Sequence, residues 1–111
     1  MSTSKEQQEF TKLLARLLTD LILAGYNPVL SEVYRTPEQQ EIYVQQGKSK
    51  TMKSKHLERV AADILLFLDG VYLTKNEDYK VMADLWKSYD ENCVAGYDWK
   101  FGDGNHVQYG K

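Results

Sequence analysis

The chain contains two histidines, and each sits beside carboxylates at a spacing that suits a metal. His56 opens a segment that reaches Asp63 seven residues later, and Asp103 precedes His106 by three. Two imidazoles and one carboxylate are enough protein ligands for a catalytic zinc that keeps a position open for water. Such an ion lowers the pKa of the water and polarises a scissile carbonyl. A further carboxylate within hydrogen-bond reach can then act as general base. The residue types therefore point to a small zinc hydrolase. Two histidines and a carboxylate also suit non-haem iron, but the extra carboxylate beside His106 supplies a base and favours hydrolysis. A His-Glu-x-x-His helix is absent from the sequence, which excludes thermolysin-like proteases.

Asp63 is the sharper clue. It is a lone carboxylate inside Ala61-Ala62-Asp63-Ile64-Leu65-Leu66-Phe67, and a buried, unpaired carboxylate is costly. Either an arginine such as Arg59 or Arg35 pairs with it, or a metal does; only the metal also accounts for His56. On one strand, His56 and Asp63 would face opposite sides. On one helix they would sit roughly 10 Å apart along the axis. The workable geometry places His56 in a loop that folds back over the strand carrying Asp63. Asp103 lies among Gly102, Gly104 and Asn105, a tight-loop composition. It has three possible roles: fourth ligand, general base or turn-forming Asx residue. Arg35, at a strand end, could hold an oxyanion through charge-assisted hydrogen bonds. Tyr97, Trp99 and Phe101 could line a substrate groove or belong to the core.

Several elements must position these residues. Ser4 with Gln7 suggests a capping box before a helical stripe of Phe10, Leu13, Leu14, Leu17, Leu18, Leu21 and Ile22, stopped at Gly25. Pro28 opens a short strand, Val29–Tyr34. Thr36-Pro37 caps a helix that runs to about Gln46 and stops at Gly47. A polar loop, 48–55, leads to His56. Val60–Leu68 reads as a central strand, Asp69-Gly70 as a hairpin turn, and Val71–Leu73 as the return strand. Asn76–Tyr89 reads as a helix with Val81 and Leu85 facing in, joined by Met82 and Trp86. Residues 90–105 read as a loop, and Val107–Tyr109 as a final strand that His106 begins. The expected architecture is α+β, a small antiparallel sheet packed with helices, in a single domain over 1–111.

Composition sets the outer limits. The chain has 111 residues, a net charge of −2 and a 42% hydrophobic share, ordinary for a globular protein and without a basic surface for nucleic acid. Lys48, Lys50, Lys53 and Lys55 cluster in what reads as a solvated loop. Cys93 is the single cysteine, so no internal disulfide is possible. With both histidines spoken for, it reads as a small core or loop residue. No stretch approaches the ~20 apolar residues of a membrane span. The N-terminal segment has acidic residues and no apolar core, so no secretory signal is read there. The expectation is a monomer without stable membrane association that accumulates in the cytoplasm.

The motifs also carry a resemblance. Ser54-Lys55-His56…Ala61-Ala62-Asp63 resembles the Ser-x-His-x-x-Gly-x-Ala-x-Asp signature of the M15 metallopeptidases, which include D-alanyl-D-alanine carboxypeptidases and phage L-alanyl-D-glutamate endolysins. Val33-Tyr34-Arg35-Thr36-Pro37-Glu38-Gln39-Gln40 resembles their upstream Tyr-Arg segment. Gly96-Tyr97-Asp98-Trp99 through Asp103-Gly104-Asn105-His106 resembles their closing Trp…(Glu/Asp)-x-x-His segment. The resemblance implies the fold shared with Hedgehog signalling domains and a Zn2+ held by His56, Asp63 and His106. It implies Asp103 as base, and Arg35 as the group that stabilises the substrate carbonyl or the intermediate. Ser54, Gln40 and Trp99 are implied as substrate-binding or supporting residues, and peptidoglycan stem peptides as substrate. Asp103, where carboxypeptidase relatives often carry Glu, points towards L-alanyl-D-glutamate endopeptidase activity, and the small one-domain chain towards a phage-type lysin released through a separate pore. A D,D-carboxypeptidase, or a non-catalytic metal-binding or virion module, is the alternative. Two positions depart from the pattern. Arg59 replaces the signature glycine, which implies a changed backbone there or a phage-type subgroup, and Val107 stands where an aromatic is usual.

Overall fold

The computed structural model describes residues 3–111. Helix α1 (Ser4–Leu23) starts one residue earlier than its Ser4 reading. Thr3 is the N-cap, and it forms a reciprocal capping box with Glu6. Phe10, Leu13, Leu14, Leu17 and Leu21 of its stripe are buried, whereas Ile22 is exposed. Strand β1 (Asn27–Glu32) comes next, then α2 (Pro37–Gln45), which Thr36 caps through the Gln39 amide. A 3-10 turn, Lys55–Glu58, carries His56. Strand β2 (Ala61–Leu68) forms a hairpin with β3 (Val71–Tyr72). Asp69 and Gly70 both have positive φ (51° and 79°), as a two-residue hairpin turn requires.

The 76–89 segment divides into a 3-10 turn, Asn76–Tyr79, and α3 (Lys80–Tyr89). The inward face of α3 is Met82, Ala83 and Trp86; Val81 and Leu85 sit at its flank rather than facing in. The 90–105 segment is more ordered than a loop. It contains strand β4 (Cys93–Ala95) and a 3-10 turn, Gly96–Asp98. Strand β5 (His106–Tyr109) closes the chain.

The sheet is antiparallel in the order β1-β2-β5-β4, with β3 pairing the far end of β2 beyond β5. Pro28, which has no N–H to give a ladder, lies on edge strand β1. α1 and α3 pack together on the sheet, and their apolar faces join Val60, Ala62, Ile64, Leu66 and Val107 in one cluster. Trp86 is fully buried at its centre, edge-on to Phe10 with ring centroids 5.7 Å apart, and its indole N–H donates to the Gln108 carbonyl at 3.0 Å. Cys93 is buried here, with its thiol pushed up to about 12 by burial. That is an inert packing residue, as its isolation in the sequence suggested. Trp86→Ala removes both the ring and the donor to β5. It should cost about 3–5 kcal/mol of unfolding free energy, read from urea denaturation.

Candidate metal centre

The site is assembled where β2, β5 and the Lys55–Glu58 turn converge. Asp63 and His106 are direct cross-strand partners, so their side chains share one face of the sheet. The β1–β2 register shifts between Leu30 and Glu32, just where β1 comes opposite Asp63. A bulge of this kind bends a strand and re-aims the residues beyond it. Those residues are Val33–Arg35, and this segment holds His56. The Val33 carbonyl lies 2.9 Å from His56 Nδ1, and the Arg35 amide donates to the His56 carbonyl at 3.2 Å. Ser54 caps the turn, its Oγ accepting from the His56 amide at 3.2 Å. His56 thus sits in a turn folded against the strand of Asp63, the arrangement that the seven-residue spacing required.

A carbonyl can only accept, so His56 Nδ1 carries the proton and Nε2 presents a lone pair. That nitrogen lies 3.3 Å from Asp63 Oδ1, and His106 Nδ1 lies 3.1 Å from the same oxygen. The three ligand atoms fall within 4.8 Å of one another. Both imidazoles are buried and the carboxylate is half-buried. Neither arginine neutralises Asp63: Arg35 pairs with Glu32, and Arg59 lies over the Tyr34 ring at 4.2 Å. Two nitrogen donors and a carboxylate oxygen, converging with an outer hydrogen bond behind each ring, fit a divalent zinc-type ion.

Burial alone would raise the Asp63 carboxyl, but hydrogen bonds and charge from His106 and His56 hold it well below the usual carboxylate range. Burial alone would lower His56; Asp63 and the Val33 carbonyl outweigh it and leave His56 raised. Asp103 goes the other way. Burial raises it and Asp63 adds to that, against the pull of His106, His56 and Arg35. Among the described residues its carboxylate has no hydrogen-bond partner, and it lies outside the three-ligand cluster. The fourth-ligand role is therefore not the arrangement found. A half-buried, unpaired carboxylate with a raised pKa beside the three ligands suits a proton acceptor.

Arg35 lies only a hydrogen bond away from Ser54 and is largely committed. Its Nε–H and one Nη2–H go to Glu32, and Nη1 donates to Gln40 Oε1 at 2.7 Å and Ser54 Oγ at 3.2 Å. One Nη2 hydrogen of the five N–H donors is left for an external oxygen. Gln40 is fully buried, and its amide is used by Arg35, Ser49 and Thr51. It supports Arg35 and offers no surface to a substrate. Trp99 is half-buried with its ring 4.9 Å from that of His106, and forms a wall of the site. Phe101 beside it is 78% exposed. A cavity of about 190 Å³ opens next to Asp103, lined in part by Tyr72, Lys75, Asn76 and Asn105.

Three features escaped the residue-by-residue reading of the sequence. Glu32 anchors Arg35. Gln108 Oε1 lies 2.8 Å from His106 Nε2. Gly96 packs so close to the Asp103 loop that a Cβ there would run into the Asp103 carbonyl and come within 3.0 Å of His106 Cβ. A Gln two residues past a ligand histidine, and therefore on the same strand face, was the available signal for Gln108.

Arg59, at the position of the signature glycine, has a left-handed backbone (φ 61°, ψ 32°), a conformation glycine adopts without a Cβ penalty. Its guanidinium compensates by covering Tyr34.

No protein-family model and no curated protein sequence matches the chain. Solved structures do. The Serratia marcescens L-Ala D-Glu endopeptidase ChiX superposes with a TM-score of 0.79 at 23% identity, over 92% of this chain and 78% of that one. The fold is shared. A VanY D,D-pentapeptidase from a VanB-type resistance cassette, in complex with Zn(II), gives 0.60 at 22% identity over 91% and 70%. VanYB in complex with D-alanine-D-alanine gives 0.63 at 21% identity over 93% and 70%. These likenesses place the chain in the α+β, antiparallel-sheet fold that the M15 resemblance implied.

Two measurements check this geometry. Arg59→Gly should stay within about 1 kcal/mol of the parent, trading the stacked guanidinium for a relaxed backbone, whereas Arg59→Val should cost about 1–2 kcal/mol in urea denaturation. In metal-free protein, the lowered Asp63 contributes stability above its unfolded pKa that is lost as the pH falls through the acid range. The raised His56 contributes stability that is complete below about 6.5 and is lost as the pH rises through its folded value. The metal-free melting temperature should thus peak in mild acid, and the gain on adding zinc should grow from pH 6 to 8. A gain independent of pH would contradict proton–metal competition at these imidazoles.

Proposed function

We propose that this chain is a zinc-dependent hydrolase of peptidoglycan stem peptides that cuts the L-alanyl-D-glutamate bond. The observation that carries the proposal is the convergence of His56 Nε2, His106 Nδ1 and Asp63 Oδ1, with the unpaired Asp103 carboxylate beside them. Zinc bound there would act as a Lewis acid on the scissile carbonyl and make a water nucleophilic near neutral pH. Asp103 takes the proton from the attacking water and returns it to the departing amine. The remaining Nη2–H of Arg35 is available to the carbonyl oxygen as charge develops on it. Trp99 packs against His106 on one side of the site, and a cavity of about 190 Å³ lies beside Asp103. The fold likeness to an L-Ala D-Glu endopeptidase supports this bond over others.

A D,D-peptidase is the second reading, favoured by the likeness to VanYB, which was solved with D-alanine-D-alanine. Mass spectrometry of digested peptidoglycan separates the two. Zinc-dependent products split between L-Ala and D-Glu are expected, whereas loss of a terminal D-Ala assigns the second reading. Asp103→Ala should keep its zinc and lose at least about 100-fold in turnover, the lower range for removing a general base. Wild-type turnover in that variant would remove Asp103 from the mechanism. A zinc-loaded parent that releases no product would instead make the chain a non-catalytic metal-binding module. His56→Ala and His106→Ala should each lower zinc content and abolish the zinc-dependent rise in melting temperature.

The wider proposal is a phage-type lytic role, with the enzyme held in the cytoplasm until the inner membrane is opened. Expression in a host should cause lysis only when a pore-forming protein or a permeabilising agent is supplied.

A further inference from the structure

We infer that Gln108 is a positioning residue that selects which nitrogen of His106 faces the metal; the inference rests on the metal-centre reading above. The two histidines present opposite nitrogens to Asp63, Nε2 from His56 and Nδ1 from His106. His56 is fixed in that sense by a backbone carbonyl, which allows no alternative. His106 has no such carbonyl. Its Nε2 faces a side-chain amide, which could in principle donate or accept.

The surroundings of Gln108 remove that freedom. Its Nε2 donates to the Gly110 carbonyl at 2.8 Å, so its Oε1 must be the atom that lies 2.8 Å from His106 Nε2. An amide oxygen only accepts, so His106 carries its proton on Nε2 and leaves the Nδ1 lone pair directed at the site. The strand that carries this amide is held in place in turn. Gln108 is buried, its main-chain carbonyl accepts from the Trp86 indole, and its backbone pairs with Ala61 on β2 and Val94 on β4. The position from which the amide reaches His106 is thus anchored in the hydrophobic core.

The alternative tautomer shows why this matters. Without an acceptor behind it, neutral His106 gains most by putting its proton on Nδ1 and donating to Asp63 Oδ1, 3.1 Å away. That proton would occupy the direction a metal must take. Gln108 makes this tautomer costly, because two acceptors would then confront each other at 2.8 Å in a buried place. Partners of this kind behind a ligand histidine typically account for about 10- to 100-fold in metal affinity.

The test uses the whole chain and zinc itself. Long-range proton–nitrogen correlation spectra of the parent, recorded metal-free above the imidazole titration range and again with zinc, should show His106 protonated on Nε2 and His56 on Nδ1. Gln108→Leu should shift metal-free His106 to the Nδ1–H form and weaken zinc binding about 10- to 100-fold in chelator competition. Gln108→Glu, which keeps the acceptor behind His106 but loses the donor to the Gly110 carbonyl, should recover part of that affinity. A merely structural role would lower the melting temperature without moving the tautomer or separating Leu from Glu. An Nδ1-protonated His106 in the metal-free parent overturns the inference, and does so even if Gln108→Leu fails to fold. So does a folded Gln108→Leu with zinc affinity within about twofold of the parent, well short of the expected loss. A parent that takes up no zinc overturns the metal-centre reading itself, a result distinct from both.

Discussion

The organising constraint is a carboxylate placed in the middle of a sheet. Asp63 has apolar neighbours along its strand and a side chain only 21% exposed. An ionised group there is costly unless positive charge or hydrogen-bond donors meet it. The chain sets against it two imidazoles drawn from distant points in the sequence, which offset that cost when protonated, and leaves Arg35 and Arg59 to other partners. Each imidazole has its outer nitrogen held by an oxygen, so the inner nitrogens and the carboxylate oxygen aim at common ground. Three ligands arranged in this way are better matched to a cation between them than to one another.

Most of the surrounding structure can be understood as support for that point. The β1 bulge turns Val33–Arg35 across the end of the strand, where the segment supplies the carbonyl that fixes His56. Glu32, Arg35, Gln40 and Ser54 form a chain of polar contacts ending at the cap of the His56 turn. On the other side, the buried Trp86 fixes Gln108, and Gln108 fixes His106. Gly96 lets the 3-10 turn pass close enough to bring the Asp103 loop alongside. Buried polar groups of this kind are expensive when half satisfied, and no buried side-chain nitrogen or oxygen among the described residues lacks a partner.

Asp103 stands apart from this network. It is half-buried, raised by burial and free of protein hydrogen bonds among the described residues. An unpaired carboxylate beside one whose Oδ1 meets two imidazoles is the kind of divergence that separates a proton acceptor from a ligand. Asp63 and Asp103 are the same residue type within one small site, and their environments push their proton affinities in opposite directions.

The amino-acid sequence by itself determined what is local. The α1 stripe, the Thr36-Pro37 helix start, the Asp69-Gly70 hairpin and the apolar strand around one carboxylate arise from periodicity, capping and turn chemistry, which act over a few residues. Spacing alone also demanded that His56 leave the strand of Asp63. Tertiary structure decided what depends on distant partners. Strand β4 is three residues long, too short for periodicity to reveal, and exists because β5 offers it a ladder. Whether Val81 or Met82 faced inward depended on where α1 and the sheet lay. Gln40 became a buried support and Gln108 a partner of His106 through contacts made only when β1, β2 and β5 come together. Arg59, left-handed in backbone, lays its guanidinium over the ring of Tyr34, 25 residues earlier in the chain.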